Sequence, residues 1–258
     1  MRKNILVALV AASTLFVGCD SASDSGAIQV QFRVADGSQS LAKTAAGTLE
    51  IAGSNGTLRL TGVHLIVAEF ELDRLNDDDC DLLTDAQDDD NCEEFEAPPF
   101  FLDLPLDETT VTVASANITP DTYKELDFEI ENLEDDEDSA VQTAALLAQI
   151  RTDFPAWPAK ASMAFVGEFE TPGPGGEVRP FTVYADAEIE IEMAFDPPIT
   201  IDTANEDQIT VVVDPSEWLK DADGSVVDLS TFDYGSTGEL IEFEVEIEDG
   251  FKEIEFED

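Results

Sequence analysis

The sequence predicts a mainly β protein, an antiparallel β-sandwich with one inserted α-helix, and three observations carry that prediction. Short segments of alternating apolar and polar residues recur from Ala27 onward, the period of a strand with one buried face. Gly, Pro, Asn and Asp bound these segments at close spacing, so connections are short and pairing is chiefly antiparallel. Hydrophobic residues form 43% of the 258, with 16 Phe among them, enough for a packed core despite a formal charge of −47.

The elements follow in order. AIQVQFRVA places Ile28, Val30, Phe32 and Val34 on one face. GTLEIAG and TLRLTGVHLIVAEFELDRL, joined through Ser54-Asn55-Gly56, read as a hairpin running into one long strand. That strand carries the sole histidine, His64, on the side of Leu60, Ile66 and Phe70, where it reads as a packed strand residue. PFFLDL, TVTVASANI and TYKELDFEIENL come next, and ASMAFVGEFE, RPFTVYADAEIEIEMAF, PITID and DQITVVVD follow further on. About nine or ten strands with short links imply a sandwich or barrel.

One helix interrupts them. Ser139 to Arg151, SAVQTAALLAQIR, is Ala-rich and free of Gly and Pro, with Ser139 and Gln142 at capping-box spacing. The acidic run Glu134 to Asp138 before it suits the positive end of a helix dipole. The stretch 239–257 fits both periods: Ile241, Phe243, Val245 and Ile247 alternate, while Leu240, Phe243, Ile247, Phe251 and Ile254 keep helical spacing. Its Glu content is unusual for a strand, so the reading leans to a C-terminal helix, in which Glu242/Glu246 and Glu244/Glu248 repel unless screened. The folded part is a single domain over 27–258, or two sub-lobes, 27–134 and 160–258, joined by a helix over 139–152.

Charge excludes several functions. Asp and Glu number 59 against 12 Lys and Arg, the wrong balance for binding nucleic-acid phosphates or an anionic bilayer surface. The carboxylates are spread along nearly the whole chain, so they read as adaptation to concentrated salt more than as one site for a cationic partner. In dilute buffer such a charge repels itself, whereas near 1 M salt the Debye length shrinks to about 3 Å. The expected source is a halophilic bacterium.

The first residues, MRKNILVALVAASTLFVGCD, join a basic start to an apolar run from Ile5 to Val17 that is too short to span a bilayer. Phe16-Val17-Gly18-Cys19 resembles the lipobox of bacterial lipoproteins, with Phe16 where Leu is usual. The resemblance implies a signal peptide over 1–18, cleavage before Cys19, and diacylglycerol and palmitate chains on that cysteine as a membrane anchor. The tether over 19–26 is short, so the folded part sits close to the membrane, in the periplasm or at the cell surface. The long strand over LTGVHLIVAEFELDR, a polar insert, FFLDL and NITPDTYKELDFEIENL together resemble an uncharacterised β-sandwich domain of bacterial lipoproteins, over Leu58 to Leu133. DQITVVVDPSEWLKDADGSVVDLS is similar to segments of envelope lipoproteins. These resemblances imply fold and location and carry over no catalytic residue.

Asn76 to Glu96, NDDDCDLLTDAQDDDNCEEFE, is the densest constellation, with 11 carboxylates and no basic residue. Cys80 and Cys92 bracket it and are expected to pair in an oxidising compartment. Asp85, Asp88 and Asp90 suit Ca²⁺, which takes six to eight oxygens from flexible loops, although the Gly of an EF-hand turn is absent. A solvated, disulfide-closed insert is the competing reading. Asp221-Ala222-Asp223-Gly224 with Asp228 reads as a tight turn before it reads as a ligand set. Trp157 and Trp218 sit beside prolines at turn positions where they are either core residues or stacking platforms for an envelope glycan. No nucleophile, zinc-protease or phosphate-loop motif occurs. The expectation is a non-enzymatic binding or structural module, Ca²⁺-stabilised in one version. A secreted hydrolase with paired carboxylates is the alternative.

Overall fold

The computed structural model describes residues 26–35, 41–44, 47–75, 95–107, 109–133, 140–203, 206–242 and 247–257. The chain runs through β1 (Gly26–Val34), β2 (Leu41–Thr44), β3 (Thr48–Gly53), β4 (Gly56–Arg74), β5 (Phe95–Glu96), β6 (Phe100–Asp103), β7 (Val111–Ile118) and β8 (Asp121–Ile130). The helix α1 (Ala140–Asp153) follows, then β9 (Met163–Glu170), β10 (Val178–Asp186), β11 (Ile189–Ile201) and β12 (Glu206–Val213). Two short helices, α2 (Pro215–Leu219) and α3 (Tyr234–Thr237), precede β13 (Ile241–Glu242) and β14 (Phe251–Glu257). The architecture is the mainly β sandwich that the alternation predicts.

One sheet has the order β14-β12-β1-β7, and the other β11-β8-β4-β9-β10-β13, with β3, β5 and β6 also paired to β4 and β2 to β3. Ile28, Val30, Phe32 and Val34 of β1 and Ile209, Val211 and Val213 of β12 bury against Leu58, Leu65, Phe70, Phe128 and Phe165 of the larger sheet. The rings of Phe32 and Phe128 meet edge-on across the two sheets at 5.9 Å. Burying each such side chain is worth about 1.5–3 kcal/mol. β1 and β12 pair in parallel, as do β10 and β13. The first pair is possible because all of the larger sheet except β13 lies between the two strands in sequence and supplies the long return that parallel pairing requires.

Both sheets draw strands from either side of α1: β1 pairs with β12, β4 with β9 and β8 with β11. The two halves are therefore interleaved, and a division into lobes over 27–134 and 160–258 does not describe them. The predicted C-terminal helix is also corrected. The described part of 239–257 holds β13, a 3-10 turn at Ile247–Gly250 and β14. β14 pairs antiparallel with β12 and lays Phe251, Ile254 and Phe256 against the core. Pairing with the available edge of β12 overrides the local preference of a Glu-rich segment.

β4 is the spine. Register shifts between Leu60 and Gly62 and between Val67 and Glu69 each add a residue and exchange the faces. Leu58 and Leu60, then Val63, Leu65 and Val67, then Phe70 and Leu72 all face the sandwich core. Ile66 instead joins a second cluster on the outer face. His64 lies beside it, stacked with Phe101 and edge-on to Phe154, so its predicted grouping with Leu60 and Phe70 is corrected while that with Ile66 stands.

α1 covers this outer patch. Ile150, with Leu146 and Leu147 packed against the cluster, meets Ile66, Ala164, Tyr184 and Trp157. Among the described residues no helix is long and apolar enough to cross a membrane. Cys19, Cys80, Cys92, Asp85, Asp88, Asp90 and the capping residue Ser139 lie outside the described residues.

Candidate functional site

The larger sheet's outer face is divided. Beneath α1 it is apolar, while over β4, β8 and β11 it carries carboxylates. The alternation that buries Phe70 and Leu72, Leu126, Phe128 and Ile130, and Ile191 turns Glu69, Glu71 and Asp73, Glu125, Asp127 and Glu129, and Glu190 and Glu192 outward. The register then sets like charges side by side. Glu129 stands between Glu69 and Glu190, Asp127 between Glu71 and Glu192, and Glu125 beside Asp73. Like charges directly opposite one another on a sheet are destabilising.

The cost concentrates at Asp127. Burial, then the charges of Glu125, Asp73, Glu192 and Glu190, push its carboxyl up to about 7. Burial and the charges of Glu69 and Glu190 raise Glu129 as well. Asp127 Oδ1 is enclosed and has no hydrogen-bond donor among the described residues. Lys124 Nζ reaches Asp73 Oδ2 at 3.3 Å and offsets part of the negative field. Asp73, Glu125 and Asp127 each present a ligand atom within 4.8 Å of the others. Three carboxylates at that spacing form a donor set of hard oxygens suited to Ca²⁺ or Mg²⁺.

These three residues were not singled out from the sequence. Alternation alone places each on a solvent-facing side, but only the cross-strand register brings β4 and β8 together at Asp73 and Glu125. The site lies at the root of the acidic insert: β4 ends at Arg74, and the chain returns as β5, with Glu96 opposite Glu71.

The remaining candidates resolve differently. Trp157 is 4% and Trp218 1% exposed, which removes both as glycan-stacking platforms. Trp157 donates its indole N–H to the Ala161 carbonyl at 3.1 Å and packs edge-on to Phe101 and Tyr184. Trp218 sits on α2 between Phe165 and Phe251. Both turns fold back onto the sandwich because a large ring gains more from burial than from display.

Asp221 and Asp223 accept hydrogen bonds from the Ser225 hydroxyl, Gly224 takes a φ of 82°, and Asp228 pairs with Arg179 at 2.8 Å. Those oxygens serve a turn. His64 Nδ1 lies 3.2 Å from Asp103 Oδ1, outside hydrogen-bond geometry, with two Phe rings against the imidazole. A cavity of about 260 Å³ near α3 is lined, among the described residues, by Phe232, Thr237, Glu239, Leu240 and Ile241.

Fold and site together define a class: a mainly β sandwich whose larger sheet shows an acidic face to solvent. The chain matches no protein-family model and no curated protein. Among solved structures it is similar to MbnP from Methylosinus trichosporium, at 17% identity and a TM-score of 0.35, over 73% of this chain and 75% of that one.

Proposed function

We propose that this protein is a lipid-anchored, non-enzymatic binding module of the cell envelope of a salt-adapted bacterium, and that its acidic sheet face takes up a hard divalent cation, Ca²⁺ first. The observation that carries the cation reading is the enclosed oxygen of Asp127, without a donor among the described residues, within a cluster of three carboxylates. A divalent ion there supplies the missing partner and relieves the repulsion that raises Asp127. The acidic insert supports the same reading, because β4 ends one residue after Asp73 and the sequence that follows it holds Asp85, Asp88 and Asp90. The anchor rests on the lipobox-like Phe16 to Cys19 and on β1 beginning at Gly26, a short tether away.

The test is equilibrium dialysis of Ca²⁺ against the mature protein in 2 M NaCl, with the unfolding temperature followed with and without chelator. Saturable binding that D127N and E125Q weaken about tenfold or more is expected. Substitution of Asp85, Asp88 and Asp90 together reports whether the insert contributes ligands. A chelator without effect and no binding above background would overturn the cation reading. Failure of C19A to abolish palmitate labelling would overturn the anchor independently.

A further inference from the structure

We propose that this protein stands end-on to the bilayer, with the end of the sandwich at which β1 begins resting against the phospholipid headgroups. This orientation rests on the lipid anchor proposed for Cys19 and adds the surface that meets the membrane.

Chain length limits the choice. Gly26 opens β1, and the chain from Cys19 to Gly26 spans at most about 25 Å when fully extended. The body is longer than this tether. β4 alone, from Gly56 to Arg74, covers roughly 55 Å of strand. The hairpin of Ser54 and Asn55 lies at its far end.

Several segments finish around Gly26. It pairs with Ile118, the last residue of β7, and Thr119-Pro120 leads from there into β8. Its backbone sits so close to the end of β11 that an added Cβ would lie 2.6 Å from the Asp202 carbonyl oxygen and 2.7 Å from Ile201 Cγ2. Ile201 pairs with Asp121, and Glu206 opens β12 beside Ala27. β4 finishes here too, since the Leu75 amide donates to the Thr122 carbonyl at 2.8 Å. Both sheets thus end together beside the tether.

Charge and strand direction favour this end over the broad sides. Lying on the larger sheet would press eight carboxylates of β4, β8 and β11 onto lipid phosphates. Lying on the smaller sheet would press Glu253 and Glu255 of β14 onto them, although β1 runs from Gly26 to Val34 and carries the chain away from the anchor. The end itself has an uncharged part in Leu75, Thr119, Pro120 and Thr203, with Leu75 45% exposed. Asp121, Asp202, Glu206 and Glu257 flank it. Near 1 M salt, where the Debye length is about 3 Å, those flanking charges oppose close approach little.

The test uses the full lipidated chain in phosphatidylcholine vesicles in 2 M NaCl, with a fluorescent amino acid at one position at a time and a quencher on the lipid headgroup. Positions 119 and 203 report the anchored end, 54 the far hairpin, 192 the larger sheet's face and 255 the smaller sheet's, all exposed in the parent chain. Labelled chains with the parent's circular dichroism are compared. Quenching at 119 and 203 at least fivefold above that at 54, 192 and 255 is expected. Strongest quenching at 192 or 255 would mean a broad side faces the bilayer, strongest at 54 the opposite end, and equal quenching at every position no fixed orientation; each would overturn the proposal. A chain that fails to sediment with the vesicles would overturn the anchor and the orientation together, whereas one that sediments with any of those three patterns overturns the orientation alone.

Discussion

Asp127 shows how a uniform charge becomes a local cost. Its carboxyl titrates near 7 in the folded protein against an ordinary value of 3.8, so the folded state holds a proton that the unfolded chain has already released. Stability therefore falls as pH rises from about 4 to about 7, and the penalty is fully present above that window. D127N should stabilise the fold by about 1–2 kcal/mol at pH 8 in low salt after allowing for screening, raising the unfolding temperature there, and change little near pH 4. Thermal denaturation at the two pH values checks this, and an equal shift at both would contradict it.

Tyr123 acts in the opposite sense. Its hydroxyl donates to the Thr119 carbonyl at 2.7 Å and closes the Thr-Pro-x-x-Tyr turn at the head of β8, beside the buried Arg74. Y123F leaves that turn without its tie and should cost about 1–2 kcal/mol, read from a denaturant midpoint with unchanged slope.

The segments that sequence patterning located best are those whose period is unbroken. β1, β9 and β12 were legible because one uninterrupted alternation runs through each, and β8 because its alternation is regular from Leu126 on, past a register shift that sets Tyr123 off the period. α1 was legible because Ala140 to Asp153 contains no breaker, and the structure starts and ends it within two residues of the predicted bounds. β4 was legible as a strand but not in its facing, since its two register shifts leave no local mark beyond a Gly at 62. β14 was misread because its partner edge lies some forty residues upstream, and pairing, not propensity, decides it.

The capping of α2 was latent in Asp214-Pro215-Ser216: Asp214 Oδ1 accepts from the Ser216 amide at 2.9 Å and hydroxyl at 2.6 Å. Trp218 on that helix is buried beside Gly250, where an added Cβ would overlap the indole. W218A should cost about 3–5 kcal/mol. G250A should cost several kcal/mol as well, by forcing the ring or the 3-10 turn to move. Both are measurable by chemical denaturation.

At the scale of the molecule, charge governs stability through the solvent. With eight carboxylates facing outward from three adjacent strands, raising NaCl from 0.1 to 2 M should raise the unfolding temperature by about 10 °C, as screening removes repulsion worth a few kcal/mol. Calorimetry across a salt series checks this, and a flat profile would contradict salt adaptation. Millimolar Ca²⁺ at constant ionic strength should add to that shift, and D127N should reduce the addition. The sequence by itself determined the mainly β class, the position of α1, the faces of the unbroken strands and the excess of acid, because these follow from composition and local period. Tertiary structure alone decided the interleaved sheets, the outward placement of His64, the burial of both tryptophans and the meeting of Asp73, Glu125 and Asp127. Each of those depends on register between strands distant in sequence, and a bulge of one residue reverses which side chains meet.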